Sequence, residues 1–291
     1  MKTLVISPHP DDELLGMGGT LLKRKKNQQN RLFWMIATKI KKSQSNKIKK
    51  NREQEIKKII KIFGFEKVFF LNYETTSLDT VPKKDLVKKI SKVIMEIKPD
   101  EIFGPHKGDV HSDHKIINET LPTVTKSFRY PYIKKVLTYE VLSETDFNLY
   151  KKEGFFPNYF IDISKEIKKK LEICKIYKSE FKKFPFPRSL KNVQNLAMLR
   201  GSRIGVKSAE AFELIYENEK WFDLEKKKKF TINKFMTLLK GNYKLKPVKN
   251  KKLSHEEELE KSFEKEAHKR LGGSMVYVSK KKINWDLKPK K

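Results

Sequence analysis

The sequence has 291 residues, 37% of them hydrophobic and 35% charged, a composition that excludes a disordered tail or a mini-protein. Its single cysteine, Cys174, excludes an internal disulfide and a paired-cysteine zinc site, and no apolar run is long enough to predict a membrane-spanning helix. We therefore expect a cytoplasmic protein, in a reducing compartment.

The formal net charge is +30, from 66 Lys and Arg against 36 Asp and Glu. Such a charge attracts nucleic acid, anionic lipid and phosphorylated ligands. Only eight of the basic residues are arginine, the usual residue for bidentate recognition of phosphates and bases, and the lysines are scattered along the chain. The pattern favours a general compositional bias and predicts no specific nucleic-acid partner.

Short apolar runs alternate with longer amphipathic runs over the first 140 residues, which predicts strands alternating with helices. The expected strands are residues 3–7, 32–37, 67–71, 101–104 and 136–141, and the expected helices are residues 14–26, 46–63, 84–97 and 114–127. This order predicts an α/β fold of the Rossmann-like, doubly wound kind, with a mostly parallel sheet and helices on both faces.

The rest of the sequence divides into two parts. A strand at 159–163, helices at 165–183 and 190–199 and a last ordered piece through 212–216 are expected to complete one domain, residues 1–222. Residues 222–291 hold 21 Lys and Arg against 9 Asp and Glu and few large aliphatic residues. We interpret residues 223–291 as a lysine-rich, partly mobile C-terminal extension, suited to weak contact with an anionic surface.

Two clusters of potential metal ligands follow two of the predicted strands. Residues 7–13 read Ser-Pro-His-Pro-Asp-Asp-Glu, and residues 104–114 read Gly-Pro-His-Lys-Gly-Asp-Val-His-Ser-Asp-His. Together they hold four of the six histidines of the chain. Ligands of open α/β sheets bind beyond the carboxyl ends of the strands, so both clusters are expected to contribute to one site.

Imidazole nitrogens with a carboxylate oxygen suit a borderline divalent metal, and three protein ligands with one open position are typical of catalytic zinc. Bound zinc lowers the pKa of its water from about 15.7 to about 7, and a nearby carboxylate can take the second proton and pass it to a departing amine. The clusters therefore predict metal-assisted hydrolysis with Zn²⁺, and Fe²⁺ fits the same donors. Spacing alone does not assign individual roles, because Pro10 interrupts the strand periodicity.

The two clusters resemble the motifs of the LmbE-like or PIG-L-like zinc-dependent de-N-acetylases, which deacetylate N-acetylglucosamine units of small glycosides, glycolipids and thiol precursors. The family pattern is Ala/Pro-His-Pro-Asp-Asp-Glu followed by His-x-Asp-His, usually with proline where this chain has Ser112. The resemblance continues through residues 160–164 and 200–212, and so covers about residues 1–216.

The resemblance implies roles for residues of both clusters. The implied zinc ligands are His9, Asp12 and His114, and the implied general base, which activates the water, is Asp11. The implied function is removal of the acetyl group from an N-acetylglucosamine-type amino sugar, either a small molecule or a lipid-linked one.

Three further residues receive roles in the same way. The resemblance implies that His111, oriented by Asp113, stabilises the tetrahedral intermediate or protonates the leaving amine, and that Arg52 contacts the substrate. The sequence by itself interprets His106 as a loop residue, Asp109 as a candidate pocket residue and Glu210 either as a buried polar partner or as a substrate contact.

Two alternatives stay open: a polyanion-binding protein, for nucleic acid or an anionic membrane, on an α/β scaffold, and a family member that hydrolyses a different amide. Loops 73–81 and 128–132 are expected to recognise the sugar and its aglycone. Tyr73, Tyr130 and Tyr132 are candidates for stacking there, and packing in the core is an equal interpretation of these side chains. The sequence does not specify the oligomeric state.

Overall fold

A computed structural model describes residues 1–218 and two further strands, Ser274–Val278 and Lys282–Asp286. Residues 1–219 form one compact unit, to which everything below refers. The second unit, residues 220–291, is described only by the antiparallel pairing of those two strands. The expected domain boundary at residue 222 and the expected character of the extension lie outside the described residues and stay predictions.

Seven strands and six α-helices build the first unit. The strands are β1 (Lys2–Ser7), β2 (Arg31–Lys39), β3 (Lys67–Glu74), β4 (Glu101–Pro105), β5 (Lys135–Tyr139), β6 (Tyr159–Asp162) and β7 (Ala209–Glu217). The helices are α1 (Asp12–Lys26), α2 (Asn46–Phe63), α3 (Lys83–Ile97), α4 (Ser112–Val124), α5 (Ile167–Cys174) and α6 (Leu190–Ser202).

The strands form one mixed sheet in the order β3-β2-β1-β4-β5-β7-β6. The first five strands are parallel, and β7 pairs antiparallel with both β5 and β6. Two apolar cores flank the sheet, one with side chains of α1, α2, α5 and α6 and the other with side chains of α3 and α4. The prediction of a doubly wound, mostly parallel sheet with helices on both faces is confirmed.

Burial explains why the central strands are so uniformly apolar. Leu4, Val5 and Ile6 of β1 are all fully buried, because helices cover both faces of the sheet. The order of the strands reverses between β1 and β4, which are neighbours in the sheet but distant in the chain. Chains leaving these two strands diverge to opposite faces, so a crevice opens at their carboxyl ends. Both sequence clusters begin at this crevice.

The structure corrects the expected helix at 165–183, because α5 ends at Cys174. The apolar periodicity continues past that point, but the chain turns away from the helix axis. The turn buries Tyr177 completely, with its hydroxyl donating to Glu13 at 2.9 Å, and it brings Glu180 to Arg52. These tertiary contacts outweigh local helix propensity, which contributes less than 1 kcal/mol per residue.

A second difference concerns α4, which begins at Ser112 with His111 as its N-cap. His111 has an extended backbone and lies outside the helix that carries His114. The two histidines therefore do not share a helix face, although their spacing is i, i+3.

Among the helices that the structure describes, none is long and apolar enough to cross a membrane.

A buried ion pair connects α5 to β7 beneath the first helix. Lys170 and Glu210 are almost fully buried and lie 2.7 Å apart, and Glu210 also accepts the backbone N–H groups of Gly19 (2.8 Å) and Thr20 (2.6 Å). Glu210 is thus a buried polar partner, one of the two interpretations of this residue that the sequence left open.

We expect Glu210→Ala to lower the free energy of unfolding by about 3–5 kcal/mol, because it removes the counter-charge of the buried Lys170 ammonium, whose remaining acceptor is the carbonyl oxygen of Leu15, and the side-chain acceptor of two backbone N–H groups. Urea denaturation measures this. The control is Lys169→Ala, which removes the exposed pair with Glu172 and should change stability by about 0–1 kcal/mol. Equal effects of the two substitutions would contradict the assignment.

Candidate metal centre

The turn between β1 and α1 holds an aspartate in an unusual backbone conformation. Asp11 has φ 138° and lies in the region that L-residues rarely adopt. Its N–H donates to the carboxylate of Glu13 at 2.9 Å, and its own carboxylate accepts from Arg188 at 2.9 Å. Strain of this kind persists where surrounding contacts impose it, and it is concentrated at functional sites.

His9, Asp12 and His114 converge at the crevice between β1 and β4. The Nε2 atom of His114 lies 3.3 Å from Nδ1 of His9. One carboxylate oxygen, Oδ2 of Asp12, lies 3.5 Å from the same His9 nitrogen and 3.4 Å from the same His114 nitrogen. The three potential ligand atoms thus form a small triangle, with their side chains contributed by both clusters.

Two further aspartates orient these imidazole rings. Asp109 lies 2.7 Å from Nδ1 of His114, and Asp113 lies 3.0 Å from Nε2 of His9. Each carboxylate takes the hydrogen of one ring nitrogen and leaves the opposite nitrogen free to act as a ligand. Carboxylates behind metal-binding histidines commonly have this role, since they fix the tautomer and the ring orientation.

The chemistry of the triangle fits a divalent cation. Oδ1 of Asp12 is buried and has no hydrogen-bond partner among the described residues, which is costly for a carboxylate oxygen. Burial by itself would lower the pKa of His9, but the hydrogen bonds to Asp113 and Asp12 outweigh it and raise that pKa to about 9. The site therefore stabilises positive charge, and its donors, two imidazole nitrogens and a carboxylate, suit a borderline metal.

His9, His111 and Asp113 form a second group with metal-ligand geometry. The carboxylate of Asp113 is already occupied there, because it accepts the N–H groups of Thr76 (2.7 Å) and Leu78 (3.0 Å) besides its contact with His9. Asp12 is less fully hydrogen-bonded, because its Oδ2 accepts the backbone N–H of His9 at 2.7 Å and its Oδ1 has no partner among the described residues. The first group is the better candidate.

His111 stands beside the triangle, with its ring centroid 4.4 Å from that of His9. Its Nδ1 accepts the backbone N–H of Asp113 at 3.1 Å, so a neutral ring carries its hydrogen on Nε2. Burial, together with the positive charges of His9 and His114, lowers the pKa of His111 to about 4. His111 is therefore a neutral hydrogen-bond donor around neutral pH.

The structure places the Asp113 side chain differently from the implied orienting role. Its carboxylate contacts His9, and only its backbone N–H contacts His111. The reason is that His111 caps the first turn of α4, where a side-chain acceptor meets a backbone donor two residues on.

Neighbouring groups shift the pKa of the Asp11 carboxyl group in opposite directions. Burial and the neighbouring charge of Asp12 raise its pKa to about 7, while Arg188 and Arg52 act in the opposite direction. A carboxyl group with a pKa near neutrality suits proton transfer in both directions. Among the described residues, Arg188 bonds only one oxygen of Asp11, namely Oδ2.

A cavity of about 280 Å³ opens beside Asp11 and His111. Its lining residues are His9, Pro10, Asp11, Thr38, Lys39, Ile40, Arg52, Thr75, His111, Glu180 and Arg188. Arg52 faces it from α2, where its guanidinium donates to the carbonyl oxygen of Pro10 at 3.1 Å and pairs with Glu180. The expected substrate residue thus lies in the same cavity as the expected base.

The three tyrosines considered for stacking are not among these lining residues. Tyr130 is buried in the second apolar core, and the hydroxyl of Tyr132 donates to the carbonyl oxygen of Ile94 at 3.3 Å. The ring of Tyr73 lies beneath the Lys89 ammonium. For Tyr130 and Tyr132 the structure supports packing in the core.

His106 is fully buried, and its ring bridges Glu213 and the carbonyl oxygen of Glu153.

Sequence reasoning missed Arg188, the centre of a charged network. Besides Asp11 it contacts Glu144 (2.8 Å), Glu180 (3.4 Å) and the hydroxyl of Ser143 (2.7 Å). It follows a Phe-Pro-Phe-Pro segment that indicates only a helix break. The available signal was rarity, because only eight of the 66 basic residues are arginine and the guanidinium of Arg188 can contact several acceptors at once.

Comparison with known proteins finds a family match for part of the chain. Residues 4–125, which include both clusters, match the family model described as PIG-L, GlcNAc-PI de-N-acetylase. A diacetylchitobiose deacetylase of Thermococcus kodakarensis is 23% identical over 226 residues, which are 74% of this chain and 83% of that protein.

Solved structures share the fold. The diacetylchitobiose deacetylase of Pyrococcus horikoshii superposes with a TM-score of 0.60 at 23% identity and covers 77% of this chain and 88% of its own. A 4-carboxy-2-hydroxymuconate hydratase of Pseudomonas putida has a TM-score of 0.59 at 15% identity. The match covers 76% of this chain and 99% of the hydratase chain. The fold therefore accommodates more than one reaction, and the residues of the site carry the functional argument. The family match and the two clusters together make residues 4–125 similar to the PIG-L-like de-N-acetylases, in agreement with the resemblance found in the sequence.

Proposed function

We propose that this protein is a divalent-metal-dependent hydrolase that removes the acetyl group from an N-acetylglucosamine-type amino sugar. The observation that carries the proposal is the convergence of His9, Asp12 and His114 next to a cavity that His9 and the buried Asp11 line. The family model, described by a GlcNAc substrate, and the relatives named for diacetylchitobiose support an acetylated amino sugar.

His9, Asp12 and His114 would hold the metal through Nδ1, the carboxylate and Nε2, with Asp109 and Asp113 fixing the two rings. When bound, a divalent ion such as Zn²⁺ supplies Lewis acidity that polarises a carbonyl group and acidifies water. Fe²⁺ fits the same donors.

Asp11 is the proposed general base. Its Oδ1 takes a proton from the attacking water, while Arg188 holds Oδ2 and so fixes the direction of the carboxylate. The same oxygen then delivers the proton to the amine nitrogen as the carbon–nitrogen bond breaks, which regenerates the carboxylate and releases acetate. A pKa near neutrality makes both transfers accessible at one pH.

His111 is the proposed stabiliser of the negative charge that develops on the acetyl oxygen. Its neutral Nε2–H can donate to that oxygen, while Nδ1 is held by the backbone of Asp113. Its low pKa disfavours the alternative role as proton donor to the amine. Asp113 positions His9 through its carboxylate and His111 through its backbone. Arg52 is the proposed substrate contact from α2.

The substrate is proposed to be a small-molecule or lipid-linked amino sugar. Location in the cytoplasm and weak contact of the lysine-rich extension with an anionic surface stay predictions from composition. Neither rests on the geometry of the site.

We expect His114→Ala to abolish tight binding of one Zn²⁺ per chain and His111→Ala to leave that binding largely unchanged. Of these two histidines, only His114 belongs to the group that contains Asp12, whose carboxylate has an oxygen without a partner among the described residues. Isothermal titration of metal-free protein with zinc measures this. Loss of binding in His111→Ala with retention in His114→Ala would assign the metal to the second group.

Acetate and free amine should be released from at least one member of a panel of N-acetylglucosamine glycosides, lipids and sugar nucleotides. Asp11→Asn should lower kcat by about 10²–10⁴-fold, because it removes the proton acceptor, while the bound metal is retained. Amine-specific fluorescence and metal analysis on the same samples measure both quantities. Turnover by Asp11→Asn at the wild-type rate, or no amine from any acetylated sugar, would overturn the proposal.

Arg188→Met should lower kcat by about 10–100-fold, since Asp11 loses a charged hydrogen bond worth about 1.5–3 kcal/mol. Arg188→Lys should restore part of the rate. Arg200→Met is the matched control, because Arg200 is also half-buried and paired with a glutamate, Glu140, but does not contact Asp11. If kcat falls equally in the control, the effect of Arg188 is on stability alone.

A further inference from the structure

The loop between β5 and β6, residues 140–158, presents an unusual apolar surface. Four of its large side chains are strongly exposed: Phe147 (53%), Leu149 (92%), Tyr150 (71%) and Phe156 (70%). Single exposed apolar residues are common on protein surfaces, but four within ten residues form a patch that requires a partner. Among the described residues nothing covers them.

This loop is held firmly at its polar positions. Thr145 donates to Asp109 at 2.6 Å, and the carbonyl oxygen of Glu153 lies 3.0 Å from Nε2 of His106. The N–H of Phe156 donates to Glu213 at 2.7 Å. The loop also packs tightly on Gly108, where a Cβ atom would lie 1.9 Å from the Glu153 oxygen. The apolar side chains are therefore presented outward by an anchored backbone.

The anchors place the patch at a particular edge of the molecule. The loop follows the carboxyl end of β5, and Asp109, its partner through Thr145, is the residue that orients His114. The patch thus lies on the edge of the sheet that carries the candidate metal centre. The exposed Phe128, between α4 and β5, lies at the amino end of β5 and so at the opposite edge.

The charge around the patch favours an anionic bilayer over a second copy of the chain as its partner. Lys107, Lys151 and Lys152 are exposed around it, against the exposed acids Asp146 and Glu153, and the whole chain has a formal charge of +30. A second copy of the chain would bring like charges together, which costs free energy. An anionic bilayer attracts the protein as a whole and accepts Phe, Leu and Tyr side chains at its interface, while neighbouring lysines reach the headgroups.

We propose that the β5–β6 loop, through Phe147, Leu149, Tyr150 and Phe156, is a docking surface that inserts into the interface of an anionic membrane. Docking turns the edge of the sheet that carries the metal centre towards the lipid headgroups. The inference concerns binding alone and does not depend on the proposed hydrolysis, because the four side chains are not among those that line the cavity.

Cosedimentation of the full chain with vesicles of phosphatidylcholine, with and without phosphatidylglycerol, tests the proposal. We expect binding to the anionic vesicles, and at least about a tenfold loss of partitioning in Leu149→Ser/Tyr150→Ser/Phe156→Ser, because interfacial binding scales with buried apolar area. Phe128→Ser is the matched control, since it removes an equally exposed aromatic side chain (76%) from the opposite edge. The control should bind as the wild type does.

A probe at the loop reports insertion directly. The only native cysteine, Cys174, is buried, and burial raises the pKa of its thiol to about 12, so a polarity-sensitive maleimide dye will label an introduced cysteine selectively. Emission from Leu149→Cys should shift to the blue on anionic vesicles, and emission from Phe128→Cys should not.

Three results would overturn the proposal. The triple variant could bind anionic vesicles as well as the wild type does, which would assign binding to net charge alone. Both labelled positions could shift equally, which would exclude a defined docking face. Wild-type protein could ignore vesicles and form oligomers that the triple variant dissociates, which would assign the patch to a second copy. Unchanged thermal unfolding of the variants excludes misfolding as the cause of any loss.

Discussion

Buried negative charge at the crevice between β1 and β4 is the constraint on which the rest of the site depends. Asp11, Asp12, Asp109 and Asp113 are all buried there, each within reach of a histidine, an arginine or both. Isolated carboxylates would be very costly in such surroundings. The arrangement is stable only because cationic groups compensate the aspartates, and one oxygen of Asp12 still has no protein partner. The proposed divalent ion would supply the missing partner.

The aspartates have separate tasks because their surroundings differ. Asp109 and Asp113 are saturated by hydrogen bonds and serve to orient rings. Asp12 faces both ring nitrogens and is suited to a metal. Asp11 is strained in its backbone and held at one oxygen by Arg188, which leaves the other oxygen for the proposed proton transfer. Adjacent residues of one short motif thus acquire different chemistry from packing and hydrogen bonding.

Long-range contacts to the site also determine the shape of neighbouring segments. The chain after α5 leaves its helix so that Tyr177, Glu180 and Arg188 can reach the first cluster. The β5–β6 loop is fixed to the second cluster through Asp109 and His106. Its anchored backbone is what allows strongly apolar side chains to stay exposed, since no local collapse can bury them.

Sequence alone determined the architecture and the chemical class of the protein. Alternating short and long apolar runs reflect strands buried on both faces and amphipathic helices, so the doubly wound sheet was predictable, as were most of its element bounds. Both ligand clusters were predictable for the same reason, since parallel strands deliver their carboxyl ends to one edge. The family resemblance then assigned candidate roles to individual side chains.

Only the tertiary structure decided which groups meet. The approach of His9, Asp12 and His114 to one another, the placement of His111 as an N-cap, and the contact of Arg188 with Asp11 across 177 residues all depend on distances that periodicity does not encode. The early end of α5 also depends on tertiary contacts, because the burial of Tyr177 and the ion pair of Glu180 with Arg52 outweigh local helix propensity. Local patterns fix local conformation, whereas contacts between distant segments fix the chemistry of the site.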